Sequence, residues 1–162
     1  MPRYTAPLVQ NTVSTAFKTT GALWAQSGTQ LRRCSVYEIV VGLSGALNTS
    51  NDTQVLFDVS RFITTSTLAA TAVTPSPLDA ADSVTDAFFS NNATAEFASV
   101  QVAGSGLSML SIPVNQRGTF RWRALDDGDN IIIPATALSG LAVRVLSLSY
   151  TGSAQGSIMY QE

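Results

Sequence analysis

Apolar residues in this chain recur at every second position in short runs separated by Gly, Pro, Asn and Asp, and helical spacing is scarce. A two-residue period places alternate side chains on opposite faces of an extended backbone, so the pattern demands strands. The run from Gln54 to Thr65 is the plainest case. Val55, Phe57, Val59 and Arg61 fall on one face, with Leu56, Asp58, Ser60 and Phe62 on the other. Gln30 to Leu43 carries Val36, Tyr37, Ile39, Val40 and Val41, a β-branched and aromatic run suited to a two-sided interior. Near the N-terminus Val9, Val13 and Phe17 share a side with Asn11 and Thr15, a weaker amphipathic pattern.

Further strands are predicted over Glu96–Val102, Leu107–Val114, Gly118–Leu125, Asn130–Pro134, Leu141–Tyr150 and Ser157–Tyr160. In the third of these, Phe120, Trp122 and Ala124 point inward and Thr119, Arg121 and Arg123 outward. Asp127-Gly128-Asp129 reads as a hairpin turn, because Gly adopts positive φ without strain. The middle is different. Thr74-Pro75-Ser76-Pro77 bars regular hydrogen bonding, and Leu78 to Phe89 is predicted to hold a turn or two of helix, with Asp79, Asp82 and Asp86 at its start. About eight to ten short strands at this spacing fit a sandwich or barrel. The reading is all-β: one jelly-roll-like β-sandwich domain over residues 1–162, with a short helical or loop excursion near residues 75–90. Pro2 to Leu8, within residues 1–8, is a candidate extended arm. A lone cysteine leaves no Cys-Trp-Cys framework for an immunoglobulin-like alternative.

Composition narrows function. The 162 residues are 45% hydrophobic but only 12% charged, about half the usual charged share. The surface must therefore be built from Ser, Thr, Asn, Gln, Gly and Ala, which repels itself weakly and suits burial against other subunits. Lys18 is the single lysine among nine basic residues, and Arg32-Arg33 and Arg117–Arg123 are the basic clusters. No basic stripe exists to displace counterions from phosphate, so nucleic acid is not an expected partner. Neither is a membrane, since no apolar run reaches the roughly 18 residues of a span. Met1 to Thr5 leads into no apolar signal core, so Sec-type secretion is not expected and the chain reads as made in a reducing cytoplasm and built into an assembly. The sequons at Asn48, Asn51 and Asn92 then read as incidental.

The chain has no histidine, which removes Ser-His-Asp and Cys-His catalysis and the common zinc sites. Cys34 beside Arg32 and Arg33 has the neighbours of an activated thiol, but a packed core cysteine is favoured. Asp126, Asp127 and Asp129 lack the ligand spacing of a helical calcium loop, so the turn is preferred to a weak cation site. Glu38, in the most apolar strand, is expected to pair with an arginine. Glu38, Glu96 and Glu162 offer little for two-carboxylate glycoside hydrolysis. Gly104-Ser105-Gly106 lacks the following Lys of a phosphate loop. Trp122 is assigned to the core, while Trp24 in the stretch Gly21–Thr29 is the candidate exposed aromatic anchor, with Tyr150 as a second platform residue. No catalytic residue, cofactor or metal ligand is assigned, and the chain is not expected to be an enzyme.

Several segments resemble small structural proteins of tailed bacteriophages and prophages. They are Asn115-Gln116-Arg117-Gly118-Thr119-Phe120-Arg121-Trp122, Ile132-Ile133-Pro134-Ala135-Thr136-Ala137, and the close from Tyr150-Thr151-Gly152-Ser153-Ala154 to Glu162. Thr71 to Asp79 with Ala80-Ala81-Asp82, and Tyr37-Glu38 followed by Gly42, extend the likeness over most of the chain. The resemblance implies a virion protein on the capsid exterior: a decoration (cement) protein, commonly trimeric, whose partners are the major capsid protein and itself. The alternatives are a head-fibre or tail-tip module binding host surface glycan, and a glycan-degrading enzyme on a β-sandwich.

Overall fold

The computed structural model describes residues 1–25, 31–45, 53–63, 69–96 and 108–162. Among these residues the chain forms strands β1 (Arg3–Gln10), β2 (Lys18–Ala25), β3 (Cys34–Ser44), β4 (Gln54–Ile63), β5 (Thr71–Val73), β6 (Ser76–Pro77), β7 (Ala87–Asn91), β8 (Ser108–Asn115), β9 (Thr119–Arg123), β10 (Ile131–Ile133), β11 (Ser139–Leu146) and β12 (Ser153–Gln161). They make two antiparallel sheets, an all-β sandwich as the alternation predicts. One sheet runs β6-β1-β12-β3, with β9 and β10 both on the far side of β3; the other runs β5-β7-β2-β11-β4-β8.

The pairing is nested. β4 pairs with β8, β3 with β9 and β10, β2 with β11, and β1 with β12, so the chain doubles back on itself as one long ribbon. Pairing of β12 with β3 and of β11 with β4 then rolls that ribbon into two layers. The inward residues of one layer are Tyr4, Ala6 and Leu8 on β1, Ile158 and Tyr160 on β12, and Val36, Ile39 and Val41 on β3. Opposite them lie Leu23, Val55, Phe57, Val59, Phe89, Leu141, Val143 and Val145. Each large side chain removed from water here stabilises the fold by roughly 1.5–3 kcal/mol.

β1 replaces the predicted arm. Tyr4, Ala6 and Leu8 are buried, because β1 pairs with β12 from Arg3 to Gln10. The amphipathic face is the even-numbered one, and Val9 points away from the core. On its other side β1 pairs with only the two residues of β6, and the rest of that edge is met by single backbone and side-chain hydrogen bonds. The Asn91 carboxamide donates to the Pro7 carbonyl at 2.9 Å, and the Asn92 N–H donates to the Val9 carbonyl at 2.8 Å. Asn92 holds a left-handed backbone (φ 50°), and its side-chain oxygen accepts from the Asn11 N–H. Pro7, lacking an N–H, adds to this protection against strand-to-strand pairing.

No helix forms between residues 75 and 90. Ser76–Pro77 adds a short strand, the Asp79 carboxylate accepts from the Ala81 N–H at 2.9 Å in a turn, and Ala87–Asn91 is a strand with Ala87 and Phe89 buried. The backbone after Pro77 turns instead of coiling because Asp79 offers its neighbours a local acceptor. Most of the strand predicted at 96–102, and Gly104-Ser105-Gly106, lie outside the described residues, as do Asn48 and Asn51.

Phe57→Ala, in the centre of the core, is expected to cost about 3–5 kcal/mol in guanidinium unfolding. A Cβ at Gly156 would overlap the Val40 carbonyl oxygen across the β3–β12 pair. Gly156→Ala is accordingly expected to lower the unfolding free energy by about 1–3 kcal/mol, read from the guanidinium midpoint, while Ser157→Ala on the outward face leaves it nearly unchanged.

Candidate interaction surface

Tyr37 sits at a double interruption of the first sheet. On one side β12 skips it, since Met159 faces Glu38 and Tyr160 faces Val36. On the other side Arg123 of β9 faces Glu38, and Ile131 of β10 faces Val36. One residue of β3 is therefore spanned by residues 124–130. An ordinary bulge adds a single residue, so this segment is a loop-out from an otherwise straight strand. Asp127-Gly128-Asp129 is the 3-10 turn at its apex, capped by the Asp126 carboxylate, which accepts from the Gly128 N–H at 2.7 Å. The predicted hairpin is not there. β9 and β10 run end to end along β3, in the same direction, and do not pair with each other.

The bulge against β12 leaves both Tyr37 and Glu38 on the outward side, between the inward Val36 and Ile39. Glu38 is buried, and it meets the Arg121 guanidinium through two contacts, Nε to Oε1 at 2.8 Å and Nη2 to Oε2 at 2.9 Å. The sequence expectation of an arginine partner holds, and the bidentate geometry is the strong form of this pair. Arg123 lies opposite Glu38 in the register. The Arg3 guanidinium lies 5.5 Å from the centre of the Tyr37 ring. Burial raises the Tyr37 phenol above its ordinary value, Arg3 and Arg123 oppose that, and Glu38 adds to it. The result is an outward platform of one aromatic ring, the guanidiniums of Arg3, Arg121 and Arg123, and one carboxylate. Sequence reasoning missed it because Tyr37 read as interior and Arg3 as part of an arm; the bulge at Tyr37 has no local signal.

The other candidates are absorbed into the fold. Trp24 is half-buried on the outward face of the second sheet, 5.9 Å edge-on from Phe62 and 4.7 Å from Phe88. With Ala22, Ala142 and Ala93 it forms a second apolar cluster, so it is not an exposed anchor. Tyr150 is buried, and its hydroxyl donates to the Ser44 carbonyl at 3.2 Å. Trp122 packs on the main core as predicted, although Phe120 beside it on the sheet edge stays 37% exposed. Asp86 pairs with Arg32 at 2.6 Å and does not start a helix. Glu96, with Asp58, surrounds Arg144, whose Nε donates to Asp58 at 2.8 Å and whose guanidinium lies 4.7 Å from the Phe17 ring. Glu96 and Glu38 are thus each engaged by an arginine of their own.

Cys34 is buried, with its thiol pushed up to about 12 by burial and then by Glu162. Such a thiol stays protonated and is a poor nucleophile. Among the described residues no three His, Cys, Asp or Glu side chains gather as a metal site, and no helix is long and apolar enough to cross a membrane. Comparison with family models, with curated proteins and with solved structures returned no match.

Two outcomes are expected. Arg144→Ala leaves the buried Asp58 without its partner and costs about 3–5 kcal/mol by urea unfolding, whereas Arg144→Met with Asp58→Leu recovers most of that loss. The thiol of Cys34 binds its proton more tightly in the folded chain than in the unfolded one. Its contribution to stability is complete below pH 9.0 and is lost as pH rises toward about 12. Cys34→Ala should flatten the start of that alkaline decline, and the native thiol should resist alkylating reagents at pH 8 until denaturant is added.

Proposed function

We propose that this chain is a virion structural protein: a capsid decoration (cement) protein on the shell exterior that bridges neighbouring major capsid subunits, acting as a homotrimer. The observation that carries this reading is the nested strand order, β1-β12-β3-β9/β10 facing β2-β11-β4-β8. It supports a jelly roll, an architecture used repeatedly for viral shells. The low charge and the phage-like segments point the same way. So does the fate of Glu38, Asp58, Glu96 and Cys34, which are held in structural contacts instead of lining a reactive cleft.

The mechanism is physical. A rigid sandwich laid across a junction buries apolar and small polar surface on both neighbours, at about 25 cal/mol per Å² of apolar area. Repetition over a closed shell converts these modest contacts into avidity, since each attached copy raises the effective concentration of the next bond. A trimer matches the local threefold points of an icosahedral lattice. No bond is made or broken, and no nucleic acid or cofactor takes part.

Purified protein is expected to sediment as a trimer and to bind expanded capsids saturably, raising the temperature at which the shells rupture. A chain that stays monomeric and ignores capsids overturns the reading. Binding to host surface glycan, with only a handful of copies at one end of the virion, would move it to a tail tip or head fibre.

A further inference from the structure

The geometry points to the outward platform around Tyr37 as the surface on which a second copy of this chain docks, through the acidic loop 124–130 of that copy. This deepens the self-assembly part of the function proposed above and does not depend on which shell the protein decorates.

Three observations converge. The platform carries the guanidiniums of Arg3, Arg121 and Arg123 against the carboxylate of Glu38; Asp79 and Asp82 share a groove with Arg3 on its far side, so the positive part is the side around Tyr37 and Arg123 that adjoins the loop. Among the described residues Arg3 and Arg123 have no carboxylate within ion-pair distance. The loop carries Asp126, Asp127 and Asp129, all exposed, and among the described residues none of them forms an ion pair. Its 94% exposed Leu125 is an apolar tip beside those charges. In a chain with only nine basic and eleven acidic residues, two unmatched groups of opposite sign lie next to each other on one surface.

The fold itself does not call for the loop. β9 and β10 are already collinear, and one residue would bridge the gap opposite Tyr37. Yet Asp126 caps the apex turn and the Ala124 N–H donates to the Tyr37 carbonyl at 2.9 Å, so the loop has a defined shape and leaves from the platform's own edge. Because the two charge groups adjoin, a rotation axis passing close to Ala124 sets each loop over its neighbour's platform. Contacts of this kind close into a ring when the rotation closes. Opposite charges brought together there fix register and speed encounter, and like charges in any other register repel.

Charge reversal tests the pairing. The variants are Arg3→Glu with Arg123→Glu on the platform, Asp127→Lys with Asp129→Lys on the loop, and all four together. Arg121 and Asp126 are left intact because they hold the fold. Sedimentation velocity over a range of concentration and salt reads assembly, and the urea midpoint of each variant verifies folding. Wild-type assembly is expected to weaken as salt rises. Each double reversal should weaken it at least about tenfold, and the fourfold variant should restore it. Wild-type protein that is monomeric throughout would sink self-assembly itself, and this inference with it. Assembly that survives both double reversals would leave self-assembly standing and overturn this interface. Loss in both without rescue in the fourfold variant would overturn the pairing of platform with loop.

Discussion

The pairing of β3 with β12 is the contact on which the rest of the sandwich depends. It joins residues 35–44 to residues 153–161 through the middle of the first sheet, and it turns a doubled-back ribbon into two facing layers. Each side of it has its own requirement. Gly156 permits the close approach to Val40, and the inward residues Ile39 and Ile158 meet face to face. The skipped residue Tyr37 then changes which positions face outward beyond that point, bringing Glu38 to the outside and Val36 back to the core. Closing so distant a contact is entropically expensive before the core repays it, which places this fold among the slower-folding topologies.

The few charges the chain carries include a matched group and an unmatched one. Arg144 with Asp58 and Glu96, Arg32 with Asp86, and Arg121 with Glu38 are matched inside the molecule, and Arg61 donates to the Ile132 carbonyl across the sandwich. These contacts fix geometry more than they add stability: desolvation offsets most of the attraction of the buried Arg144–Asp58 pair, and water screens the exposed Arg32–Asp86 pair. Arg3 and Arg123 on one side, and the aspartates of the 124–130 loop on the other, belong to the second group. Where charge is so sparse, the unmatched part is where the proposed second copy would dock.

Strand recognition from sequence worked where one face differs from the other. In β4 the Val55, Phe57, Val59 series against Asp58 and Ser60 is legible at sight, and the structure buries that series in the core. It failed for β2, where Thr19 to Leu23 are buried without alternation because both faces of the strand are covered. It failed again for β7, whose central partner β2 is distant along the chain. The helix expected after Pro77 was a reading of local acidic residues, and pairing of Phe89 with Leu23 outweighs that preference. At the candidate surface, the arginine partner of Glu38 could be inferred from the cost of burying a lone carboxylate. Tyr37, Arg3 and the acidic loop could not be brought together, because the register that does so is set by strands far apart in the chain, β3 with β9 and β10 and both β1 and β3 with β12.

What the sequence determined by itself is the chemistry available and the class of fold. A two-residue period, scarce charge and no histidine dictate strands, a polar neutral surface and an absence of imidazole chemistry, since each follows from residue identity alone. Only the tertiary structure decided which strands are neighbours, that Asp127-Gly128-Asp129 loops out of a straight strand, and that Trp24 is packed while Tyr37 faces outward. The physical reason is the same in each case. A side chain's face is set by the parity of its pairing register, and a single skipped residue reverses that parity without altering any local propensity.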